Sequence, residues 1–284
     1  MTLEECRRKT VQRLTAIYPR SEAEWMTRII FEQLKGYSQT DLIMKADSEV
    51  SDFIAGKVDD VTERLLHHEP IQYIFGETRF YGLKLKVSPA VLIPRPETEQ
   101  LVEMVINDAA GRSDLRVLDI CTGSGCIAVA LARNLLFPRV EAIDISPDAL
   151  EVAKENARLT STKITFSQAD ALKLQLPAGS YDIIVSNPPY IAEKERTTMD
   201  ANVLDYEPEL ALFVPDSDPL RFYTAISRSA MTGLRAGGRL YFEINPIYVK
   251  ELKQQMQADG WLDVDAVRDM QGLYRFISAT RPQS

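Results

Sequence analysis

The spacing of apolar residues changes near residue 75. Before that point, apolar side chains recur every three or four positions, which is the spacing of amphipathic helices. Ser21, with Glu24 three positions later, has the pattern of a helix N-cap, and residues 47–49 indicate the start of another helix. We therefore predict a small helical domain over residues 1–75. Its apolar positions are Leu3, Val11, Leu14 and Ile17; Trp25, Ile29, Ile30 and Leu34; and Phe53, Val58, Val61 and Leu65.

The next segment, residues 76–95, has a different pattern. Apolar residues alternate with lysine and serine in the run L-K-L-K-V-S at residues 83–88, directly after a Tyr-Gly pair. This pattern predicts a β-hairpin with the Tyr-Gly pair in its turn. Prolines on both sides of Arg95 then predict a stiff, extended link, and Glu97 begins a helix. We predict a hairpin linker over residues 76–95.

From residue 114 onward, strand patterns alternate with helix patterns. Such alternation is typical of an α/β fold with a mostly parallel sheet covered by helices on both faces, which we predict for residues 96–284. A short connection joins the last two strands, so these should form an antiparallel hairpin. The predicted strands cover residues 115–120, 140–145, 164–167, 181–186, 239–244, 262–267 and 274–278, and the helices cover about 126–135, 147–159, 219–234 and 246–259.

Composition and charge narrow the function classes. The chain has 284 residues, of which 45% are hydrophobic and 26% are charged, as in ordinary globular proteins. A net charge of −8 disfavours stable binding to a nucleic-acid backbone. No apolar run is long enough to span a bilayer, and the N-terminal residues lack a secretory signal pattern. We expect a cytoplasmic, monomeric protein that does not bind membranes.

The cysteines and histidines do not form a recognisable metal-binding pattern. Three cysteines are too few and too scattered for a disulfide framework. Cys121 and Cys126 lack the spacing of zinc ligands, and the only two histidines are the adjacent His67 and His68. We therefore expect no metal site.

A glycine-rich loop follows the first strand of the α/β region. The run D-I-C-T-G-S-G, from Asp119 to Gly125, ends where the next helix begins. Gly123 and Gly125 allow a sharp turn and a close approach to a ligand. Thr122 precedes the two glycines and Ser124 lies between them. A tight strand-to-helix turn without any ligand explains the loop equally well. Further residues are needed to decide.

Acidic residues at the ends of the next two strands favour a nucleoside ligand. Asp144 ends the second strand, where a carboxylate can accept both hydroxyls of a ribose. The following Ser146 is the predicted helix cap, so capping does not explain Asp144. Asp170 and Ala171 follow the third strand, and Asp170 is placed to hold an adenine amino group.

Two nucleoside ligands fit this pattern, NAD and S-adenosyl-L-methionine. The position three after Gly125 is Ala128, which the dinucleotide fingerprint tolerates. Asp119, however, would repel a diphosphate and suits the ammonium group of an amino acid. We therefore predict S-adenosyl-L-methionine as the cofactor, with S-adenosyl-L-homocysteine as the product.

The fourth predicted strand runs directly into the tetrapeptide Asn187-Pro188-Pro189-Tyr190. A carboxamide or aromatic amine is a poor nucleophile, and a site can help by accepting its two N–H bonds. The Asn187 side chain and the Pro188 backbone each offer a carbonyl, Pro189 stiffens the pair, and Tyr190 offers a ring for stacking. Fixed dipoles, without an ionisable base, would then supply most of the catalysis. A rigid loop exit is the alternative explanation.

The chain resembles the peptide chain release factor glutamine methyltransferases over nearly its whole length. The resemblance is most specific in I-P-R-P-E-T-E at residues 93–99, in the loop at 119–125 and in N-P-P-Y at 187–190, with further matches at 69–74, 80–83 and 206–212. It implies a Rossmann-like class I methyltransferase fold with a seven-stranded, mostly parallel sheet and a small N-terminal helical domain. It also implies methylation of the glutamine in the Gly-Gly-Gln motif of class 1 release factors.

The resemblance also assigns residues. The loop at 121–125 would bind S-adenosyl-L-methionine with Asp144 on the ribose, and residues 187–190 would bind the glutamine. Four positions depart from the family pattern. Cys121 stands where the family has glycine, and a side chain there requires ordinary backbone angles; Ala171 replaces an aromatic residue found in some relatives, which predicts a less closed adenine pocket. Asn202 and Asn245 also depart, and a loosened substrate loop is one expectation.

Other functions remain open on sequence alone. An adenine-specific DNA or RNA methyltransferase would present similar chemistry, but it must bind a polyanion and extrude a base, which the charge of −8 disfavours. A glutamine methyltransferase acting on a ribosomal protein could share every catalytic residue. A binding module without catalytic activity is disfavoured, because the loop, Asp144 and Asn187 are all present.

Overall fold

The protein forms two units in a computed structural model that describes residues 1–283. The smaller unit comprises Met1–Gly76 together with Asp200–Tyr206, and the larger unit comprises the remaining described residues. Each unit has its own hydrophobic core.

The smaller unit is entirely helical. Its core contains Leu3, Leu14, Ile30, Phe31 and Leu65, which lie at helical spacing and are almost completely buried. The side chains of Thr2, Ser38 and Ser51 cap three of the helices. The helices are α1 (Leu3–Leu14), α2 (Arg20–Lys35), α3 (Gln39–Met44), α4 (Asp52–Leu66) and α5 (Ile71–Phe75), and the sequence-distant α9 (Ala201–Tyr206) completes the unit.

Two predicted helix starts in this unit are wrong. Ser21 is not a cap, because the helix begins at Arg20 and Pro19 occupies the cap position. The helix predicted to begin at residues 47–49 begins at Asp52, where the Ser51 hydroxyl accepts from the backbone of Ile54. The predicted core positions Ile17, Trp25 and Phe53 are 42%, 41% and 72% exposed.

The larger unit begins with the predicted β-hairpin. Strands β1 (Glu77–Phe80) and β2 (Leu83–Lys86) pair antiparallel, with Phe80 opposite Leu83. Tyr81 and Gly82 form the turn with φ of 47° and 72°, both in the left-handed region that two-residue hairpin turns need. The helix after the proline-flanked arginine is α6 (Pro96–Asp108), which starts one residue before the predicted Glu97.

A seven-stranded sheet forms the centre of the larger unit, as predicted. Its order is β10-β11-β9-β6-β3-β4-β5, and β11 is antiparallel to both its neighbours. The other pairings are parallel. The strands are β3 (Arg116–Ile120), β4 (Arg139–Asp144), β5 (Ile164–Gln168), β6 (Tyr181–Ser186), β9 (Leu234–Glu243), β10 (Leu262–Arg268) and β11 (Tyr274–Thr280), and a small separate pair is β7 (Ile191–Ala192) with β8 (Phe213–Val214).

Helices cover both faces of this sheet. One core joins the sheet to α6, α7 (Cys126–Asn134) and α8 (Pro147–Leu159), and the other joins it to α10 (Arg221–Gly233) and α11 (Val249–Ala258). Side chains of β6 are buried throughout, as a strand covered on both faces requires. The chain reverses its winding between β3 and β6, which is where doubly wound sheets bind ligands. Within residues 1–283, no helix has the length and apolar character that a bilayer crossing requires.

Candidate active site

The glycine loop lies at the carboxyl end of β3, next to that of β6. Ile120 pairs with Ser186, and the Ser186 hydroxyl donates to the Ile120 carbonyl at 2.6 Å. The loop after β3 and the tetrapeptide after β6 therefore leave the sheet side by side. Two sequence-distant motifs that were predicted separately converge on one place.

Positions 123 and 125 both require glycine, which has no side chain. Gly123 has φ of 53°, and its backbone N–H donates to Asp144 Oδ2 at 2.8 Å. Gly125 has φ of 78°, and a Cβ there would lie 3.0 Å from the Cβ of Ala153 on α8. Any larger residue at 125 would push α8 away from the loop. Asn156 of α8 fixes the loop further, since its amide donates to the Ser124 carbonyl at 2.9 Å.

Cys121 contradicts the expectation of ordinary backbone angles. Its φ is 61°, in the left-handed region that side chains other than glycine rarely adopt. The strain persists because the neighbours on both sides are fixed: Ile120 in the sheet, and Thr122 through its N–H on the Ile143 carbonyl at 3.0 Å. Burial raises the pKa of the Cys121 thiol far above its usual range, so this cysteine stays protonated.

Asp119 is completely buried and does not line the cavity described below. Its Oδ2 accepts from the Thr122 hydroxyl at 2.6 Å and from the Ala128 N–H at 3.2 Å, which ties the loop to the start of α7. Its Oδ1 has no hydrogen-bond partner among the described residues. Burial raises the pKa of the carboxyl to about 7. The predicted contact with an ammonium group stays a prediction, and Oδ1 is the atom left for it.

Asp144 holds the loop while keeping capacity for a ligand. Its Oδ2 accepts from Gly123 and its Oδ1 accepts from the Ser146 N–H at 2.9 Å. Ser146 in turn caps α8, as predicted. A carboxylate has about four lone-pair sites, so roughly one on each oxygen is left for a hydroxyl. Capping of the helix does not use those remaining sites.

The predicted adenine subsite includes an aromatic residue that the sequence analysis missed. Asp170 Oδ1 accepts from the Leu172 N–H at 2.9 Å, and this bond keeps the pKa of the carboxyl low. Ala171 is buried and leaves the space beside Asp170 open. Phe222 lines the same cavity from α10, with the Arg221 guanidinium 5.9 Å from its ring centroid. Nothing in the local sequence distinguished Phe222 from a core residue of α10.

The tetrapeptide after β6 divides into two parts. Asn187 and Pro189 line the cavity, whereas Pro188 and Tyr190 do not. Tyr190 is only partly exposed, and its hydroxyl donates to Glu243 Oε1 at 3.2 Å. The predicted roles of the Pro188 carbonyl and of the Tyr190 ring stay predictions.

A buried polar network supports this tetrapeptide. Glu243, at the end of β9, accepts from the Thr98 hydroxyl of α6 at 2.7 Å, and Thr98 accepts from Asn187 Nδ2 at 3.4 Å. Thr98 and Glu243 are each 2% exposed. Burial raises the pKa of the Glu243 carboxyl, although the hydrogen bonds and the nearby charge of Arg275 act in the opposite direction. Sequence analysis did not identify either residue as part of the site.

A partly buried ion pair holds the proline-flanked arginine. Arg95 Nη2 donates to Glu207 Oε1 at 2.5 Å, and the backbone N–H of Ile93 donates to Glu207 Oε2 at 3.1 Å. The Glu207 side chain is 1% exposed, whereas Arg95 is 34% exposed and lines the cavity. This pair fixes two segments that the resemblance marks as specific to the family.

These elements enclose one cavity of about 530 Å³ in the larger unit. That volume lies in the range of pockets for small-molecule cofactors. Of the predicted site residues, Asp119, Gly125, Pro188 and Tyr190 are outside its lining. The lining includes Cys121, Thr122, Gly123, Ser124, Asp144, Asp170, Ala171, Asn187 and Pro189.

Known proteins are similar to this chain over nearly its whole length. One family model, described as a methyltransferase domain, matches residues 117–205, and another, described as the PrmC N-terminal domain, matches residues 5–76. The release factor glutamine methyltransferase of Bacteroides thetaiotaomicron is 43% identical over 271 residues, which cover 95% of this chain and 97% of that protein. That of Flavobacterium psychrophilum is 40% identical over 280 residues, 98% of each chain.

The chain belongs to the release factor glutamine methyltransferase family. It is a methyltransferase with the class I methyltransferase fold. A solved structure of a methyltransferase from Pyrococcus furiosus has the same fold, with a TM-score of 0.53 at 16% identity, over 79% of this chain and 99% of that one. The fold class and the family predicted from sequence are thus confirmed.

The residues of this family member fit an adenosyl cofactor that carries an ammonium group. Asp144 has lone pairs for hydroxyls, Gly123 leaves open space where a side chain would stand, and Asp119 has one buried oxygen without a partner. A second oxygen acceptor, on Asn187, lies at the same cavity. The site thus has cofactor-binding groups at the ends of β3 and β4 and a hydrogen-bond acceptor at the end of β6.

Proposed function

We propose that this methyltransferase transfers a methyl group from S-adenosyl-L-methionine to the side-chain amide nitrogen of the glutamine in the Gly-Gly-Gln motif of class 1 peptide chain release factors. S-adenosyl-L-homocysteine is the second product. The proposal rests chiefly on one observation: the glycine loop and Asn187 leave neighbouring strands and line one cavity. The release factor glutamine methyltransferases to which the chain is similar supply the substrate class.

In this proposal, the loop and the two strand-end acids hold the cofactor. Asp144 accepts the ribose hydroxyls, and Asp170 with Phe222 forms the adenine subsite. Asp119 Oδ1 interacts electrostatically with the ammonium end. The cofactor supplies a methyl group bonded to a cationic sulfur.

Asn187 and Pro188 position the glutamine amide. The Asn187 side-chain oxygen accepts one N–H of the substrate, and the Pro188 carbonyl accepts the other. Fixing both hydrogens aligns the nitrogen for in-line attack without a general base. As the new C–N bond forms and the C–S bond breaks, the nitrogen becomes cationic, and the two acceptors stabilise that charge until a proton leaves to solvent.

We assign recognition of the protein substrate to residues 1–75, with residues 76–95 as the linker and residues 96–284 as the catalytic domain. We propose that the protein works as a monomer in the cytoplasm, without stable binding to nucleic acid or membranes. Recognition by a separate domain requires an intact release factor to be a better substrate than a short Gly-Gly-Gln peptide. Comparing kcat/KM for the two measures this.

Label transfer tests the substrate directly. The protein is incubated with methyl-labelled S-adenosyl-L-methionine and a class 1 release factor, a ribosomal protein or DNA, and mass spectrometry locates the label. We expect label on the glutamine of Gly-Gly-Gln, and none when that glutamine is replaced by alanine. Label on ribosomal protein or DNA instead would refute the release factor as substrate.

Two variants test the assigned residues. Asn187→Ala should retain cofactor binding and lose about 2.7–4 kcal/mol of transition-state stabilisation, a 10²- to 10³-fold fall in kcat. Asn134→Ala, which removes an amide at the opposite end of α7, is the matched control. Asp144→Ala should weaken cofactor binding about 10- to 100-fold in calorimetry, since hydrogen bonds to a charged group are lost. Glu151→Ala, which removes an exposed acid of α8, should not.

A further inference from the structure

We propose that Thr98 and Glu243 are positioning residues that determine which way round the Asn187 amide lies, so that its oxygen faces the substrate. The proposal rests on the proposed function of Asn187, because it explains how that side chain is kept in the accepting orientation. The observation behind it is a line of three side chains, from β9 through α6 to the loop after β6.

Glu243 determines the direction of every hydrogen bond in this line. An ionised carboxylate only accepts hydrogen bonds. In the structure its Oε2 accepts a hydrogen bond from the Thr98 hydroxyl at 2.7 Å, and its Oε1 accepts one from the Tyr190 hydroxyl at 3.2 Å, which is the pattern of an ionised carboxylate. Arg275 of β11 supplies a compensating positive charge nearby.

Thr98 in turn determines the direction of its hydrogen bond with Asn187. A hydroxyl has one proton, and that of Thr98 is committed to Glu243, so towards Asn187 its oxygen can only accept. The Asn187 amide must then turn its NH₂ group to Thr98, and its Nδ2 lies 3.4 Å from the Thr98 oxygen. Asn187 Oδ1 has no hydrogen-bond partner among residues 1–283, and it is the atom left for the substrate.

A reversed amide would disable the site without changing its shape. The NH₂ group of Asn187 would then meet the N–H of the substrate amide, so two donors would face each other. An unsatisfied buried donor typically costs 1–3 kcal/mol, which corresponds to about a 10- to 100-fold loss. The carboxylate also binds Tyr190, so one buried acid fixes both ends of the tetrapeptide.

Substitutions that keep the size and shape of the side chain distinguish the effect of hydrogen-bond direction from the effect of packing. Glu243→Gln can present an NH₂ group to Thr98, which frees the Thr98 proton to donate to Asn187 Oδ1 and so reverses the amide. Thr98→Val removes the hydroxyl at constant size, and Thr98→Ser restores it. We expect a 10- to 100-fold lower kcat for Glu243→Gln and Thr98→Val, with recovery in Thr98→Ser, while the Kd for S-adenosyl-L-methionine changes less than twofold.

The matched control removes a buried acid elsewhere. Asp182→Asn acts at the start of β6, where Asp182 pairs with Arg235 at the opposite end of the sheet from Asn187. It should lower thermal stability without lowering kcat. If Glu243→Gln and Thr98→Val fold and transfer methyl groups at the wild-type rate, the proposal is wrong.

A second measurement does not depend on activity. In ligand-free wild-type protein with ¹⁵N-labelled asparagine, the proposal requires nuclear Overhauser effects from the Asn187 NH₂ protons to Thr98, and their loss in Glu243→Gln. The resonance is assigned by its absence in Asn187→Asp. Lack of these effects in the wild type overturns the proposal even if glutamine is methylated. Their presence with no methylation of glutamine would instead refute the proposed function alone.

Discussion

Asn245 donates its side-chain amide to the backbone carbonyl of Tyr190 at 3.2 Å and to Glu195 Oε1 at 2.9 Å. Asn245 is 4% exposed, and its own oxygen accepts from the Ile247 N–H. Glu195 Oε1 also accepts from the backbone of Ala192, so one amide joins the end of β9 to the chain that follows the tetrapeptide. The expectation that an asparagine at this position loosens the loop is not what these contacts indicate, because they brace it.

Replacement of Asn245 by glycine should therefore loosen this loop. Loss of this side chain leaves the Tyr190 carbonyl without its donor and the Ile247 N–H without its acceptor, at about 1–3 kcal/mol. We expect faster hydrogen exchange at the Ala192 amide and a higher KM for the release factor, with little change in cofactor affinity. Asn134→Ala is the control, and wild-type exchange at Ala192 in Asn245→Gly would contradict the bracing role.

Because position 121 has a left-handed backbone conformation, the protein should be more stable with glycine there than with a residue that carries a Cβ. Comparing Cys121→Gly with Cys121→Ala isolates the backbone effect, because both variants lose the sulfur and only alanine keeps a Cβ. With φ of 61°, a Cβ costs about 1–2 kcal/mol, partly offset by the greater flexibility of glycine in the unfolded chain. We expect the glycine variant to be more stable than the alanine variant by about 1 kcal/mol in urea unfolding. Equal stabilities would show that the loop relaxes.

The sequence predicted the sheet well because its strands carry strong local signals. β6 (Tyr181–Ser186) and α8 (Pro147–Leu159) have the predicted limits, since a buried apolar run ends at prolines in one and a serine-proline cap begins the other. Three short helices, α3, α5 and α9, were missed. Five or six residues are too few to show a period, and such helices are stable only through tertiary packing.

The supporting network of the site could not be predicted in the same way. Thr98 and Glu243 are 145 positions apart, and neither has a local pattern that indicates burial. Cys121 shows a second way in which sequence-based prediction fails. A cysteine suggested ordinary backbone angles, whereas the neighbouring strands impose a left-handed backbone conformation. Local pattern thus identified residues at strand ends, and tertiary contacts decided which of them share a cavity.

The buried acid Asp119 should make stability depend on pH. Its pKa is raised to about 7 in the folded protein, so between about pH 4 and 7 the folded state binds the proton more tightly than the unfolded state does. This contribution is fully present at low pH and is lost as pH rises through 7. About three pKa units correspond to roughly 4 kcal/mol.

Asp119→Asn removes this dependence while keeping an oxygen for Thr122. We expect the variant to gain stability relative to the wild type as pH rises from 5 to 8, in ligand-free thermal unfolding. Asp144 and Glu243 have raised pKa values as well, but they are common to both proteins and cancel in the difference. A difference that stays constant with pH would mean that Asp119 does not titrate in this range.

The ion pair between Arg95 and Glu207 should respond asymmetrically to removal of either partner. Arg95→Ala leaves the carboxylate of Glu207, 1% exposed, without its charge partner, which typically costs 3–5 kcal/mol. Glu207→Gln keeps an acceptor for the Ile93 N–H and leaves Arg95, 34% exposed, partly solvated, so a smaller loss of about 1–3 kcal/mol is expected. Unfolding in urea measures both.

A surface pair provides the control for that experiment. Arg20 pairs with Glu24 on α2, with side chains 82% and 53% exposed, and its loss in Arg20→Ala should cost less than about 1 kcal/mol. Because Arg95 also lines the cavity, Arg95→Ala should lower kcat/KM even after correction for the folded fraction, whereas Glu207→Gln should act mainly through stability. Equal losses of stability in the two variants would show that the Glu207 carboxylate becomes hydrated once its partner is gone.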